Sequence, residues 1–463
     1  MSRSGSLSLL PSSTLSRLSP EPPTRIEGMA AERLPMVAWL AMVVFATRAQ
    51  AAEQERTSGA VSRAAGTSAP GVEELVALAV DRSPSEAALR ARLASSRDQQ
   101  APAGALPDPM VGVMLQSMGP PWNPQPPMSM AQVEITQTLP YPGKQRARRA
   151  AAEADTLVRA ADLDALRAKL AAEVRATYAR LYATDQEKAS ISAAKEFVEV
   201  LVATAAARYG AGQGDIEALA KIELERSGLD ERDADVGAER TSLVATLNRL
   251  TGRDEMTVIG SVDTLPDPTL PPGALLDAAL THSPELRVQR ASIGASSSRL
   301  RAAETERNPN FIVGLAAGAG ISGDPIITLR FGAELPLWRG DKQEPLIRAA
   351  EHDVQAAREE LRDGELRIRA ELQRLVAQWQ KDRDQIARYR DAILPQSSAA
   401  FDAARSAYAT GRGDFTTVAD DFRRWLDARL GLARREADRF TTWAGLQSMI
   451  AAPLLRRASG DTP

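Results

Sequence analysis

A mainly α-helical fold with four short strands, built as two copies of one unit, is what this sequence predicts, and three observations carry the prediction. A seven-residue stretch occurs twice: Tyr209-Gly-Ala-Gly212-Gln-Gly214-Asp215 and Tyr408-Ala-Thr-Gly411-Arg-Gly413-Asp414 keep the same order of Tyr, Gly, Gly and Asp. Each stretch ends a very long Ala/Leu/Arg-rich helical pattern and opens a shorter one, so each reads as a tight turn between two helices. Each half of the chain also carries a pair of strand-like runs bounded by Pro and Gly, placed ahead of its long helix.

Composition narrows the function. A chain of 463 residues ordinarily forms several domains, but a repeat over most of it predicts one body with internal pseudo-symmetry. The net charge of −3 offers no basic surface for nucleic acid. Aromatic residues make up only 4 %, which suits helices that meet through Ala and Leu. Cysteine is absent, which excludes disulfides, thiol catalysis, thiolate metal sites and a lipidated N-terminal Cys. The two histidines, His282 and His352, lie far apart and leave little for zinc or a His-based triad. No catalytic, metal or cofactor residue is predicted, and the chain does not read as an enzyme.

Residues 1–51 read as a lead and signal peptide. Residues 1–28 are rich in Ser, Pro and Arg, and Met29 is an alternative start. Arg33 gives a sparse basic region, Met36 to Ala46 an apolar one, and Ala49-Gln50-Ala51 a small-residue cleavage site. The apolar run is too short to span a bilayer as a helix, although a buried core helix is the competing reading. A polar linker, 52–70, follows, so the mature chain is expected outside the cytoplasm.

Repeat 1 covers 71–250: a helix to about Gln100 containing Ser83-Pro84, a β-hairpin over 109–139, a long helix over 144–209 and a returning helix over 215–250. A linker, 251–272, leads to repeat 2 over 273–452. Its order is the same: a helix to about Glu306 containing Ser283-Pro284, a hairpin over 310–335, a long helix over 341–408 and a returning helix over 414–450. A tail, 453–463, remains. At 1.5 Å per residue the long helices reach about 100 Å, a length that only mutual wrapping supports. The apolar stripes agree: Val354, Leu361, Ile368 and Leu375 step by seven, as do Leu372, Trp379, Ile386 and Ile393. In the first long helix Leu163, Leu166, Leu170, Val174, Tyr178 and Leu181 alternate by three and four. Pro395 interrupts the second long helix alone and predicts a kink there.

The returning strands are the most informative. Val133 and Ile135 alternate with Gln132, Glu134 and Thr136; Ile327, Leu329 and Phe331 alternate with Thr328, Arg330 and Glu334. Period-two alternation puts one face in an apolar medium and the other in water. Runs of about ten residues match transmembrane barrel strands, with the apolar set facing lipid and the polar set facing a lumen. A single soluble hairpin packed on a helix has the same pattern, but two matched copies in an exported chain favour the membrane. Aligned on repeat 2, Met110, Met114 and Met118 fall on the water side, where with Met128 and Met130 they read as lumen filling or as soft-metal contacts. Four strands cannot close a barrel, and an open edge in lipid leaves backbone groups unpaired, so the chain must oligomerise as a ring. Both hairpins leave and re-enter from helices, which puts every helix on one side of the membrane and Trp122 and Asp324 in loops on the other.

In this arrangement the chain resembles the TolC family of outer-membrane factors over roughly Gly71 to Leu455. The resemblance rests on the duplication, on Pro107-Asp108-Pro109 entering the first hairpin, on the Leu139-Pro140-Tyr-Pro-Gly143-Lys144 and Leu335-Pro336-Leu-Trp338 exits, and on the Tyr-x-x-Gly tips. The wording around Pro107 and Pro142 is most similar to the heavy-metal efflux branch. The resemblance implies a homotrimer whose coiled-coil α-barrel continues into a 12-stranded antiparallel transmembrane β-barrel, four strands per protomer. It implies an exit duct docked to a periplasmic adaptor (a membrane fusion protein) and an inner-membrane transporter of the RND type. Carried over by position, the adaptor-docking tips are Tyr209, Gly210, Gly212, Gln213, Gly214 and Tyr408, Gly411, Arg412, Gly413. The periplasmic gate falls on Asp420 and Asp421, with Thr417 where another aspartate is expected and Tyr408 beside them. Turn formation, an exposed acidic helix face and coiled-coil packing are the plainer readings of the same residues.

Two further matches are decoys. Gly318-Ala-Gly320-Ile-Ser-Gly323 has the dinucleotide spacing, but Pro325 and another alternating strand follow where a helix must open. Arg412-Gly413-Asp414 is a chance adhesion tripeptide. The rival classes are a periplasmic adaptor, which would flank one helical hairpin with a Gly-rich sandwich, and a soluble coiled-coil scaffold.

Overall fold

A computed structural model describes residues 69–116, 130–212, 216–268, 270, 275–320 and 323–450. The leader, most of the polar linker, Met118, the Gly119–Pro127 turn with Trp122, Met128, Gln213, Gly214 and the tail lie outside the described residues.

Repeat 1 opens with α1 (Val72–Arg82) and α2 (Pro84–Asp98), then a single turn at Gln100–Ala103. The strands β1 (Met110–Gln116) and β2 (Met130–Leu139) lead into α3 (Lys144–Gly210), 67 residues long, and α4 (Ile216–Thr251) returns. Repeat 2 has α5 (Leu275–His282), α6 (Pro284–Thr305), β3 (Asn310–Gly320) and β4 (Pro325–Glu334). A π turn, Arg339–Gln343, opens α7 (Glu344–Arg388); a second π turn, Tyr389–Ile393, joins it to α8 (Leu394–Ala409), and α9 (Phe415–Ile450) returns.

The first helix of each repeat is two helices. Ser83 and Ser283 adopt extended ψ angles of 126° and 125° ahead of Pro84 and Pro284. Proline crowds the residue before it out of the helical region and then starts a helix readily, so each Ser-Pro ends one helix and begins the next.

The helix α3 is the spine, packing on α1, α2, α4, α6 and α9. Its stripe is buried as the spacing requires: Leu163, Leu170, Val174, Tyr178 and Leu181 are all in the core. At mid-length α1, α3, α4 and α9 share a cluster that also takes in Ile259 and Val262 of the inter-repeat linker. The linker is fastened there: Arg240 pairs with buried Asp185 at 2.6 Å and donates to the carbonyls of Ile259 and Gly260, while Asp185 accepts the Val262 amide. Toward the tips a second cluster joins α3, α4, α8 and α9, with Phe197, Phe401, Phe422 and Trp425 in mutual ring contact.

Just before Pro395, where the sequence predicts a kink, the helix passes through a π turn. The wider turn shifts the helical phase by part of a residue step, which is why Ile393 leaves the stripe and is 39 % exposed while Trp379 and Ile386 are buried. The four strands form one antiparallel sheet in the order β1-β2-β3-β4 at the α3 N-terminal end.

Candidate functional site

Register decides the sheet's two faces, because residues directly opposite in an antiparallel pair share a face. Met110 lies opposite Thr136, Gly112 opposite Glu134 and Met114 opposite Gln132; Thr136, Glu134 and Gln132 in turn face Gly314, Ala316 and Gly318. Across the next ladder Gly314 meets Arg330 and Ala316 meets Thr328. One face therefore collects Gln132, Glu134, Thr136, Thr328 and Arg330, and they bond to one another. Arg330 pairs with Glu134 at 2.8 Å, Thr136 donates to Glu134 at 3.2 Å and Gln132 donates to Thr328 at 3.3 Å. Glu334, at the end of the same face, accepts from Asn310 at 2.9 Å. Met110, Met114 and Met130 fall on this face too, with the Met114 sulfur 4.0 Å from the Arg330 guanidinium and the Met130 sulfur 3.4 Å from Gln132 Nε2. A guanidinium beside a thioether disfavours a second cation there.

The opposite face is apolar and bare: Val111, Val113, Leu115, Val133, Ile135, Leu315, Ile327, Leu329 and Phe331 are all exposed. Two features of β3 escaped the sequence reading. Its Phe311 and Leu315 extend the apolar face, and its other side, beyond Asn310 and Ile312, is small at Gly314, Ala316, Gly318 and Gly320. At Gly318 a Cβ would stand 1.9 Å from the Ala131 carbonyl oxygen, so only glycine fits. Among the described residues β1 and β4 are the outer strands, each with one backbone edge unpaired.

At the far end of the helices the two tips lie side by side. Gly212 and Gly411 hold φ angles of +70° and +76°, and their amides bond to the carbonyls of Tyr209 and Tyr408 at 3.0 and 3.1 Å. The Arg412 and Gly413 amides both return to the Ala407 carbonyl. Asp414 caps α9 by accepting the Thr417 amide at 2.8 Å, and bonds from Thr417 hold its carboxyl below the usual range. The tips meet through Arg208, whose guanidinium lies over the Tyr408 ring at 5.1 Å and bonds the Tyr408 carbonyl at 3.2 Å. A cleft of about 430 Å³ opens between them, lined by Arg208, Tyr408, Gly413, Asp414 and Phe415 among others.

The two tip tyrosines, alike in sequence, differ in place: Tyr209 is 48 % exposed, whereas Tyr408 is 6 % exposed with its ring against Phe415. Thr417 sits in the capped first turn of α9. Asp420 and Asp421 follow, each paired along its own helix, to Arg423 at 3.6 Å and Arg424 at 3.0 Å. Arg423 also bridges to Glu225 on α4 at 2.6 Å, a link between repeats that nothing in the local sequence announced.

Among the described residues no group of three or more His, Asp or Glu side chains is placed to hold a metal, and no helix is long and apolar enough to cross a membrane. Residues 275–452 match the family model for outer membrane efflux proteins. The second repeat is thus similar in sequence to outer membrane efflux proteins. Its fold matches solved channels across both repeats. VceC of Vibrio cholerae is 17 % identical over 82 % of this chain and 95 % of its own, with a TM-score of 0.69. CmeC of Campylobacter jejuni is 14 % identical over 82 % and 85 %, at 0.72. CusC is 15 % identical over 82 % and 91 %, at 0.70. The likeness is even across the three and singles out no branch of the efflux family. No curated protein matches the chain by sequence. CmeC is described as an outer membrane channel.

Proposed function

We propose that this chain is the outer-membrane exit duct of a tripartite pump, passing substrate passively from the periplasm to the exterior. The observation that carries the reading is the sheet: an apolar face wholly outward, a bonded polar face inward, and two unpaired edges. An open edge is not tolerated in hydrocarbon, and β4 of one copy runs antiparallel to β1 of the next, so identical copies close the sheet. Three copies give the 12-stranded barrel of a homotrimer, with α3 and α7–α8 continuing it as a helical tunnel. The paired tips, with Tyr209 exposed, form the docking ends for a periplasmic adaptor, and an RND-type transporter in the inner membrane supplies the substrate. Heavy-metal cations and drugs are the candidate cargoes. Asp420 and Asp421 narrow the tunnel mouth, but their own-helix arginines reduce the charge they offer to passing cations.

Reconstitution tests the duct directly. Purified protein added to planar bilayers should insert with uniform stepwise conductance. Protein that stays in solution without detergent and leaves bilayers silent would remove the channel reading.

A further inference from the structure

Within the chain the two repeats meet at a joint of strand and helix. The strand β2 pairs with β3, with Met130 opposite Gly320 and Leu139 opposite Phe311. Just past this ladder Lys144, buried at the start of α3, reaches the turn that enters the next hairpin. Its Nζ lies 2.9 Å from Asn310 Oδ1 and 3.2 Å from Glu306 Oε2, and Asn308 lines the same cleft. The cation fixes which residues stand opposite one another. Side-chain alternation alone does not, because a slip of two residues keeps every side chain on its own face.

The duplication carries this joint to the outer strands of the sheet. The hairpin ladders set Met110 opposite Thr136 and Asn310 opposite Glu334, so Met110 corresponds to Asn310 and Thr136 to Glu334. By the same correspondence Lys342 and Gln343 stand for Lys144 and Gln145, and Asp108 stands for Asn308. In a closed ring β4 of one copy lies beside β1 of the next, as β2 lies beside β3 within a copy, and this head-to-tail contact repeats until the ring shuts. Lys342 then faces the turn that enters the first hairpin of the next copy. In that turn Leu106 and Met110 stand where repeat 2 has Glu306 and Asn310, and the carboxylate is Asp108, the only acid between Asp98 and Glu134. Prolines on both sides restrict its backbone, and the Pro107 carbonyl accepts a bond of 2.7 Å from Gln137 on β2. Among the described residues neither Lys342 nor Asp108 has a partner of opposite charge.

We propose that Lys342 pairs with Asp108 of the partner subunit and locks the register in which the copies join. The pairing rests on the closed ring proposed above. It sets Ala333 opposite the partner subunit's Leu115 and Glu334 opposite the partner's Met114, so that the apolar and the polar face each run on unbroken across the joint.

The test uses the full chain as its detergent-purified oligomer, with dissociation followed in urea. Lys342→Glu and Asp108→Lys should each speed dissociation about tenfold, since each turns an attraction into a repulsion at every joint. The double exchange restores opposite charges and should return the rate to the parent's. Register is read separately, by oxidation in membranes. Ala333→Cys with Leu115→Cys should give covalent oligomers, whereas Ala333→Cys with Val113→Cys, the two-residue slip, should give far less. A double exchange that fails to rescue, single variants that dissociate as the parent does, or preferred linking of the slipped pair would each overturn the lock in an oligomer that still closes. A chain that forms neither an oligomer nor any covalent product would instead remove the ring beneath it, and the lock with it.

Discussion

Gly212 and Gly411 hold a left-handed backbone in open space, with no atom within 4 Å of where a Cβ would stand. The cost of alanine there is conformational, about 1–2 kcal/mol, with no clash to add. Gly411→Ala should lower the unfolding free energy from urea titration by that amount and leave the oligomer intact on size exclusion. The glycine pair was legible from sequence because turn chemistry is local. The difference between Tyr209 and Tyr408 was not, since it depends on Arg208 reaching across from the other repeat. The same holds for Asp420 and Asp421, whose charge is answered by Arg423 and Arg424 one turn on. Glu187 gives a pH-dependent case. Burial raises its carboxyl, but hydrogen bonds from Arg434 and Arg232 outweigh burial and leave the pKa lowered. A folded pKa below the unfolded one means stabilisation fully present above the ordinary glutamate range, about 4.3, and lost as pH falls through the folded value. Glu187→Gln should therefore destabilise at neutral pH and flatten the acid limb, as read from urea midpoints across a pH series.

Among the elements, the second long helix departs most from its sequence pattern. The heptad spacing runs unbroken through Ile393, so nothing in the periodicity reveals the π turn that carries Ile393 outward. Pro395 gave the place but not the form. The turn is held by α9: the Tyr389 ring lies against Gly431, beneath the Arg435 guanidinium at 4.7 Å, and Arg390 pairs with Glu436, which also accepts the Tyr182 hydroxyl at 2.6 Å. A Cβ on Gly431 would meet the Tyr389 ring at 2.6 Å, while one on Gly445 of the same helix would meet Leu375 at an ordinary 3.5 Å. Gly431→Ala should cost about 1–3 kcal/mol by overpacking. Gly445→Ala should be neutral or gain up to about 1 kcal/mol of helix propensity. Thermal unfolding of the two variants side by side checks the pair; equal melting temperatures would show that Tyr389 is not pressed against α9.

For the whole molecule, duplication was the most legible property, because matched order in two halves survives where any single motif is weak. The sheet faces were half legible. Alternation in β2 and β4 separates an apolar from a polar side, but β3 is a run of Gly, Ala and aliphatic residues whose faces appear only through its register with β2. Ring closure is a property of copies: the sequence suggests it through the count of four strands, and among the described residues β1 and β4 are the outer strands of the sheet, where the proposed closure would take place. The most direct measurement uses the absence of cysteine: single cysteines are scanned in pairs along β1 and β4, oxidised in membranes and resolved on denaturing gels. Edge pairing between copies predicts, for the pairs in register, a covalent ladder that stops at three chains. Monomers at every pair, or a ladder without an end, would contradict a closed cylinder.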